Sequence, residues 1–284
     1  MKIRKPEWFK VPLSDQKAME VHRLMAELDL HTVCRQAHCP NIGECFHNGT
    51  ATFLILGDIC TRNCRFCDIK SGKPEPPDPQ EPERIAEAVR QMKLRHCVIT
   101  GVNRDDLQWG GAHQYADTIE KVKKLNPETS VEALTGDFSG STEALQFVLS
   151  ADPDVFNHNI ETVERLTPKV RDSRADYLTS LQVLRVAATE RPDIKTKSGL
   201  LLGLGETHDE VLGALTDLRM AGCQGITIGQ YIPPSARHYP VGKYYSPEEF
   251  KEFEQAAVDM GFSAIASGPL VRSSYHAATF FHQV

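Results

Sequence analysis

Thr52-Phe-Leu-Ile-Leu56-Gly-Asp-Ile-Cys60-Thr-Arg-Asn-Cys64-Arg-Phe-Cys67 is an apolar run followed at once by three cysteines. Thr52 to Leu56 reads as a buried strand that delivers the cysteine loop at its C-terminal end. Thiols on this spacing can converge on one metal cluster. A four-iron, four-sulfide cubane wants a thiolate on every iron, so a trio leaves one iron open to something that is not protein. A structural zinc ion would instead close its tetrahedron with a fourth Cys or His. None sits in the loop or just after it, although His47 and His96 could fold in.

Downstream, the same strand-then-helix unit recurs. Gly72 to Pro82 carries five prolines and is an extended loop. Pro82 then opens a helix to about Leu94, with Ile85, Ala86, Val89 and Met92 on one face. Further strands are expected over Cys97 to Val102, Ser130 to Thr135, Asp154 to Asn159, Ile194 to Leu202 and Gly225 to Gln230. Helices are expected over His113 to Leu125, Ser141 to Ser150, Tyr177 to Glu190 and Thr207 to Ala221, and from Ser246 to Gly261. Thr207-His-Asp-Glu210 and Ser246-Pro-Glu-Glu249 fit capping boxes, and Gly222 and Gly261 fit helix ends. A last apolar run, Ser263 to Ser267, can edge the sheet. Six alternations in one direction imply parallel strands covered by helices, as a wound sheet or as a partial or complete β/α barrel.

Upstream, Ser14 to Leu30 reads as a helix, with Met19, Leu24, Met25 and Leu28 at near-helical spacing, serving as lid or brace. A second cysteine set follows in a loop: Cys34, Cys39 and Cys45. The basic run Lys2 to Lys10 reads as a solvated arm.

The 284 residues allow one large α/β domain or two small ones, and no linker interrupts the repeats. A hydrophobic content of 40%, a charged content of 25% and a net charge of −6 are those of a globular chain without a nucleic-acid surface. Six of the eight cysteines lie between Cys34 and Cys67, a crowding that points to metal rather than to disulfides. No apolar h-region opens the chain, and no run approaches a membrane span. A reducing cytoplasm is the expected compartment, or an organellar matrix if a transit peptide has been removed.

Chemistry in such folds gathers at the C-terminal ends of the strands. That rim carries Thr100, Asn103, Arg104, Asp105 and Asp106, then Glu132 and Asp137, then Asn157, His158, Asn159 and Glu161. Each alone fits a turn or cap, while together they suit a polar small molecule. The fifth strand adds Lys195, Lys197 and Ser198, then Gly199, Gly203 and Gly205, whose lack of side chains would let a ligand approach. The run ending at Glu206 is not a P-loop and lacks the dinucleotide spacing. His158 reads as a hydrogen-bonded structural residue, with metal ligand or base as the alternative, and Cys97 and Cys223 read as core.

Cys-xxx-Cys-xx-Cys at the end of a first strand, ahead of repeated β/α units, resembles the radical S-adenosylmethionine superfamily. Cys34-xxxx-Cys39-xxxxx-Cys45 together with Arg272-Ser-Ser-Tyr275 narrows this to a likeness to the lipoyl synthase family, which extends to Lys5 to Pro12 at the start, Thr196 to Gly199 in the middle and Gly268 to Arg272 near the end. The resemblance implies a partial (β/α)6 TIM-like barrel over residues 52–262, its mouth covered by an N-terminal extension, 1–51, and a C-terminal segment, 263–284. It implies two 4Fe-4S clusters. Cys60, Cys64 and Cys67 would hold the one that binds S-adenosylmethionine; Cys34, Cys39, Cys45 and Ser274 would hold an auxiliary one. Thr100, Asn157, Asn159, Glu161, Lys195 and Ser198 are the candidates for contact with S-adenosylmethionine.

The implied reaction inserts two sulfurs at C6 and C8 of a protein-bound octanoyl-lysine to give the lipoyl group, with the auxiliary cluster as the sulfur donor. Implied partners are an octanoylated lipoyl-carrier protein or domain, a low-potential donor of ferredoxin or flavodoxin type, and an iron–sulfur carrier for cluster repair; neither nucleic acid nor membrane is expected. The loop Tyr231 to Tyr245 is a candidate carrier-docking surface. Rival readings are another sulfur-inserting or methylthio-transferring radical enzyme, a non-catalytic electron carrier or cluster sensor, and a zinc-bound structural protein.

Overall fold

The computed structural model describes residues 6–9, 16–33, 41, 44–45, 50–275 and 277–278. Cys34, Cys39 and most of the basic arm lie outside the described residues. Its strands, in chain order, are β1 His31–Thr32, β2 Thr50–Ile55, β3 Ile59–Cys60, β4 Lys70–Ser71, β5 His96–Gly101, β6 Ser130–Leu134, β7 Val155–Asn157, β8 Lys195–Leu202, β9 Gly225–Gln230 and β10 Ala264–Gly268. The α-helices are α1 Gln16–Glu27, α2 Glu81–Met92, α3 Ala112–Leu125, α4 Thr142–Ser150, the short α5 Thr167–Val170, α6 Tyr177–Glu190, α7 His208–Met220 and α8 Pro247–Asp259.

One eight-stranded sheet runs in the order β1-β2-β5-β6-β7-β8-β9-β10. Every strand from β2 to β10 in it pairs in parallel with the next, and only β1 is antiparallel. Spatial order therefore follows chain order with no reversal, which is the winding of a barrel rather than of a doubly wound sheet. The two ends of the sheet do not pair among the described residues, so the barrel is partial. The six expected parallel strands are β2 and β5 to β9, and the last apolar run, expected at the sheet's edge, is β10. β10 pairs with β9 along its whole length, Ala264 to Gly268 against Gly225 to Gly229, and is a full member of the sheet.

The strands are buried on both faces, as parallel strands under helices must be: every residue of β2 and of β9 is buried. The helices form where caps and periodicity agree. Ser246 and Thr207 make the expected capping boxes. Gly222 and Gly261 take the left-handed conformation just beyond α7 and α8, with φ of 83° and 82°. α2 starts at Glu81, one residue ahead of Pro82, and buries Ile85, Ala86 and Val89. Cys97 and Cys223 are fully buried core residues, as expected. Among the described residues no helix is long and apolar enough to cross a membrane.

β7 is short. Its three paired residues give way to a segment that still tracks β8, with Glu161 N–H donating to Gly199 O at 3.1 Å and an isolated bridge from Glu161 to Leu200. Glu161 has φ of 66°, unusual for a residue with a side chain. That break carries His158, Asn159 and Glu161 onto the rim.

Candidate active site

The chain turns sharply between β2 and the cysteine loop, where Leu56 and Gly57 have φ of 69° and 87°. A leucine in that region is strained, and two buried contacts hold it there. Leu56 N–H donates to the Glu81 carboxylate at 2.9 Å, and Arg104 Nη1 donates to Leu56 O at 3.3 Å. The loop is closed at its base by β3 and β4, which pair in parallel, and by Gly72 N–H donating to Cys60 O at 2.9 Å. Cys60, Cys64 and Cys67 therefore stand over the strand ends.

Each sulfur accepts a backbone N–H: Cys60 from Arg62 at 3.4 Å, Cys64 from Asp172 at 3.3 Å, and Cys67 from Ile69. Such dipoles favour a sulfur that carries negative charge, as a cluster-bound thiolate does. As free thiols the pair Cys64 and Cys67 would be protonated, because burial pushes Cys64 up and Cys67 up to about 12. Metal loading must therefore release protons.

Arg62, between the first two cysteines, is 3% exposed and forks onto two carboxylates. It reaches Asp105 at 2.7 Å from β5 and Asp137 at 2.6 Å from β6. Burial opposes ionisation of both aspartates, but the guanidinium outweighs it and holds them below the usual carboxylate range. The other side of the loop is held by Asp172, which accepts from Asn63 N–H at 2.8 Å, and by Arg174, which donates to Thr61 O at 2.6 Å. The far end meets the segment after β9. His238 Nε2 lies 3.2 Å from Cys67 O, Tyr239 N–H donates to Arg65 O at 2.8 Å, and the Arg65 guanidinium sits 4.9 Å over the Tyr239 ring.

The three thiols line a cavity of about 270 Å³. Thr100, Thr135, His158, Asn159, Glu161 and Arg171 form its polar walls, and Ser273 and Ser274 close it from the C-terminal segment. A second cavity of about 150 Å³ shares Asn159, Glu161 and Ser273. Gly199 and Gly229 also line it, but their open sides are taken up by Asn159 and Thr227 and by Val271 O, so the expected ligand approach at Gly199 is not seen. Three buried polar atoms of the main cavity lining have no partner in the protein: Thr135 Oγ1, His158 Nε2 and Asn159 Oδ1. Buried polar groups are ordinarily satisfied, so these fit a polar guest such as S-adenosylmethionine. Among the described residues no three His, Cys, Asp or Glu side chains gather around a single-ion position.

Of the expected contacts, Thr100, Asn159 and Glu161 reach this cavity together with Cys60, Cys64, Cys67 and Ser274. The other three do not line it. Asn157 points into the barrel and donates to Glu132 at 2.7 Å, beside the buried pair of Glu132 and Lys197 at 3.0 Å. Burial opposes the Glu132 charge, but Lys197, His96 and Asn157 together hold its pKa down to about 2. Ser198 braces the backbone, donating to His158 O at 2.8 Å and accepting from Ile160 N–H at 3.3 Å. Lys195 stands at the start of β8, opposite Val155, with roughly 20 Å of strand between it and the rim. Gly203 also departs from expectation: its open side is filled by Gln230 and by Lys243 O, not by a ligand.

Arg62 and Arg171 were not among the candidates read from sequence. An arginine inside the cysteine spacing, facing two rim aspartates, is a signal in hindsight; nothing marks Arg171, which follows an irregular stretch.

The two extensions meet at the cavity. Asn41 donates to Leu270 O at 2.7 Å, and Val33 lines the same cavity as Ser274. Tyr275 OH donates to Glu44 at 3.3 Å. Burial, Glu44 and the neighbouring Cys45 thiol push that phenol up to about 12. The half-buried Cys45 thus stands beside the segment that carries Ser274.

Comparison with known proteins agrees with this geometry. The Radical SAM superfamily profile matches residues 54–218. The lipoyl synthase of Caldicellulosiruptor saccharolyticus is 54% identical over 276 residues, covering 97% of this chain and 96% of that protein. The lipoyl synthase of Nitrosospira multiformis is 52% identical over 283 residues, covering 99% and 89%. Among solved structures, methylornithine synthase superposes with a TM-score of 0.61 at 11% identity, over 88% of this chain and 77% of that one. The FeFe-hydrogenase maturase HydG from Carboxydothermus hydrogenoformans gives 0.61 at 15% identity, over 82% and 56%. At those identities the structural likeness is one of fold.

Proposed function

The chain belongs to the lipoyl synthase family of the radical S-adenosylmethionine superfamily, and on that premise we propose that this one cavity serves both halves of a double sulfur insertion at C6 and C8 of a protein-bound octanoyl-lysine. The observation that carries the reading is the shared lining: Cys60, Cys64, Cys67 and Ser274 all line the same cavity.

Cys60, Cys64 and Cys67 would hold a 4Fe-4S cluster that, with S-adenosylmethionine bound, supplies one-electron cleavage and a radical able to take hydrogen from unactivated carbon. Cys34, Cys39, Cys45 and Ser274 would hold an auxiliary 4Fe-4S cluster, the source of sulfur. A serine oxygen suits such an iron less well than a thiolate does, so the Ser274 corner is the easiest to open. The protein's own work is to position. Arg62, Asp172 and Arg174 fix the cysteine loop; Thr100, Asn159 and Glu161 present polar groups to the cosubstrate; Val33, Phe66 and Ile69 supply apolar surface for an acyl chain.

Chain length is a coarse ruler, because one methylene contributes about 0.8 kcal/mol, roughly a fourfold preference. Selectivity would therefore rest on the carrier domain, docking over Tyr231 to Tyr245. That segment already grips the cysteine loop through His238 and Tyr239. A ferredoxin- or flavodoxin-type donor and an iron–sulfur carrier that rebuilds the spent auxiliary cluster complete the scheme.

The test is anaerobic reconstitution followed by iron and sulfide analysis and by reduction with dithionite in the presence of S-adenosylmethionine. The reading requires about eight irons per chain, four for each cubane, and release of 5'-deoxyadenosine. Intact clusters with no release would leave an electron carrier or sensor. About four irons would remove the second cluster.

A further inference from the structure

Of the three unpartnered atoms in the cavity wall, the hydroxyl of Thr135 and the amide of Asn159 can turn to suit a guest. His158 cannot. Its Nδ1 lies 2.9 Å from Thr135 O, and a carbonyl only accepts, so Nδ1 carries the ring proton. Nε2 is left as a bare lone pair, buried and without a partner. The residue is 2% exposed and lines the cavity that also holds Cys60, Cys64 and Ser274. Burial, then the charge of Arg171, bring its pKa down to about 4, against the bond to Thr135 and the pull of Asp137. The ring is neutral at ordinary pH, in one tautomer, and a poor base.

We infer that His158 Nε2 is a dedicated hydrogen-bond acceptor for an O–H or N–H donor on the molecule that fills the cavity, holding that molecule in place without moving a proton. The inference rests on the cavity being the site proposed above. It adds a contact that reading His158 as a structural residue does not supply, since the Thr135 bond uses only half of the ring. Two sources offer the right donor: a ribose hydroxyl of S-adenosylmethionine, or the amide N–H of the octanoyl-lysine.

Two variants separate the ligand role from the structural one. In His158→Asn the shorter amide can still donate to Thr135 O, as Nδ1 does, but nothing extends to where Nε2 stood. His158→Gln reaches further and restores an acceptor near that point. Both are studied as anaerobically reconstituted holoprotein, by equilibrium binding of S-adenosylmethionine without acyl substrate and by the KM for an octanoylated carrier peptide.

The expectation is that His158→Asn weakens one of these constants about tenfold, the effect of leaving a ligand donor unpaired. Iron content and melting midpoint should stay at the wild-type value, and His158→Gln should recover most of the loss. A loss in S-adenosylmethionine binding assigns the donor to the cosubstrate; a loss confined to the peptide KM assigns it to the acyl-lysine. The inference is overturned if His158→Asn leaves both constants unchanged. It is equally overturned if the two variants lose affinity alike and in step with iron content, which would make the ring structural. Wild-type protein that carries both clusters yet cleaves no S-adenosylmethionine refutes the underlying site reading instead, and is seen without either variant.

Discussion

Arg62 has the most consequential side-chain contacts in the cysteine loop, because it stands between a 17% exposed carboxylate, Asp105, and a fully buried one, Asp137. Removing one member of a buried ion pair leaves the other charge uncompensated. Arg62→Ala is expected to destabilise the protein by about 3–5 kcal/mol in urea unfolding at neutral pH. Glu132 offers a pH-resolved counterpart. Its folded pKa is about 2 against an ordinary 4.5, so its pairing with Lys197 stabilises the fold fully above about pH 4.5 and is lost as pH falls from there toward 2. Glu132→Gln should therefore destabilise strongly at pH 7, and the gap to wild type should narrow as melting is followed from pH 5 downward; a constant gap would contradict the pairing. At this scale the sequence is only partly legible. Thr100, Asn159 and Glu161 were readable as rim residues, but Asn157, at the end of β7, and Ser198, within β8, face the interior and the backbone. Neighbouring polar residues on a strand end point to different places, and the break after the short β7 decides which reach the site.

Among the elements, those with local causes were the readable ones. α7 and α8 follow from capping boxes and terminal glycines, and β2 from an apolar run that ends in a turn. β10 stands at the edge of the sheet, where its apolar run suggested, but its parallel pairing with β9, Ala264 against Gly225, is a long-range contact that no local pattern shows. Lys195 was counted as a contact although the strand expected over Ile194 to Leu202 already put it at the N-terminal end, opposite the rim where the site lies. The link from sheet to extension is testable at Gly229. A Cβ built there falls 2.1 Å from Val271 O, backbone that carries the chain into Ser273 and Ser274. Gly229→Ala should displace that segment, and lipoyl formation should fall at least tenfold while uncoupled release of 5'-deoxyadenosine persists. Equal loss of both activities would place the segment in the radical step as well.

The described part of the molecule is a partial barrel with a cavity at one rim, lined from outside the barrel by Val33, Ser273 and Ser274. The loop of three thiols could be read from a single stretch of sequence, the parallel sheet under helices from the repeated strand-helix units, and the choice of a partial barrel only from the family resemblance. The meeting of the N-terminal segment with residues 268–275, through Asn41 and Leu270 and through Glu44 and Tyr275, joins positions more than two hundred residues apart, so no local pattern carries it and only the family resemblance implied it. That meeting gives the account its central claim, that radical and sulfur are supplied into one cavity by two separate sets of ligands. Cys34→Ala tests it most directly, with 5'-deoxyadenosine and lipoyl product measured together on anaerobically reconstituted protein given an octanoylated carrier peptide, S-adenosylmethionine and dithionite. 5'-Deoxyadenosine should still be released and no lipoyl group should form; full sulfur insertion by the variant would contradict the two separate ligand sets.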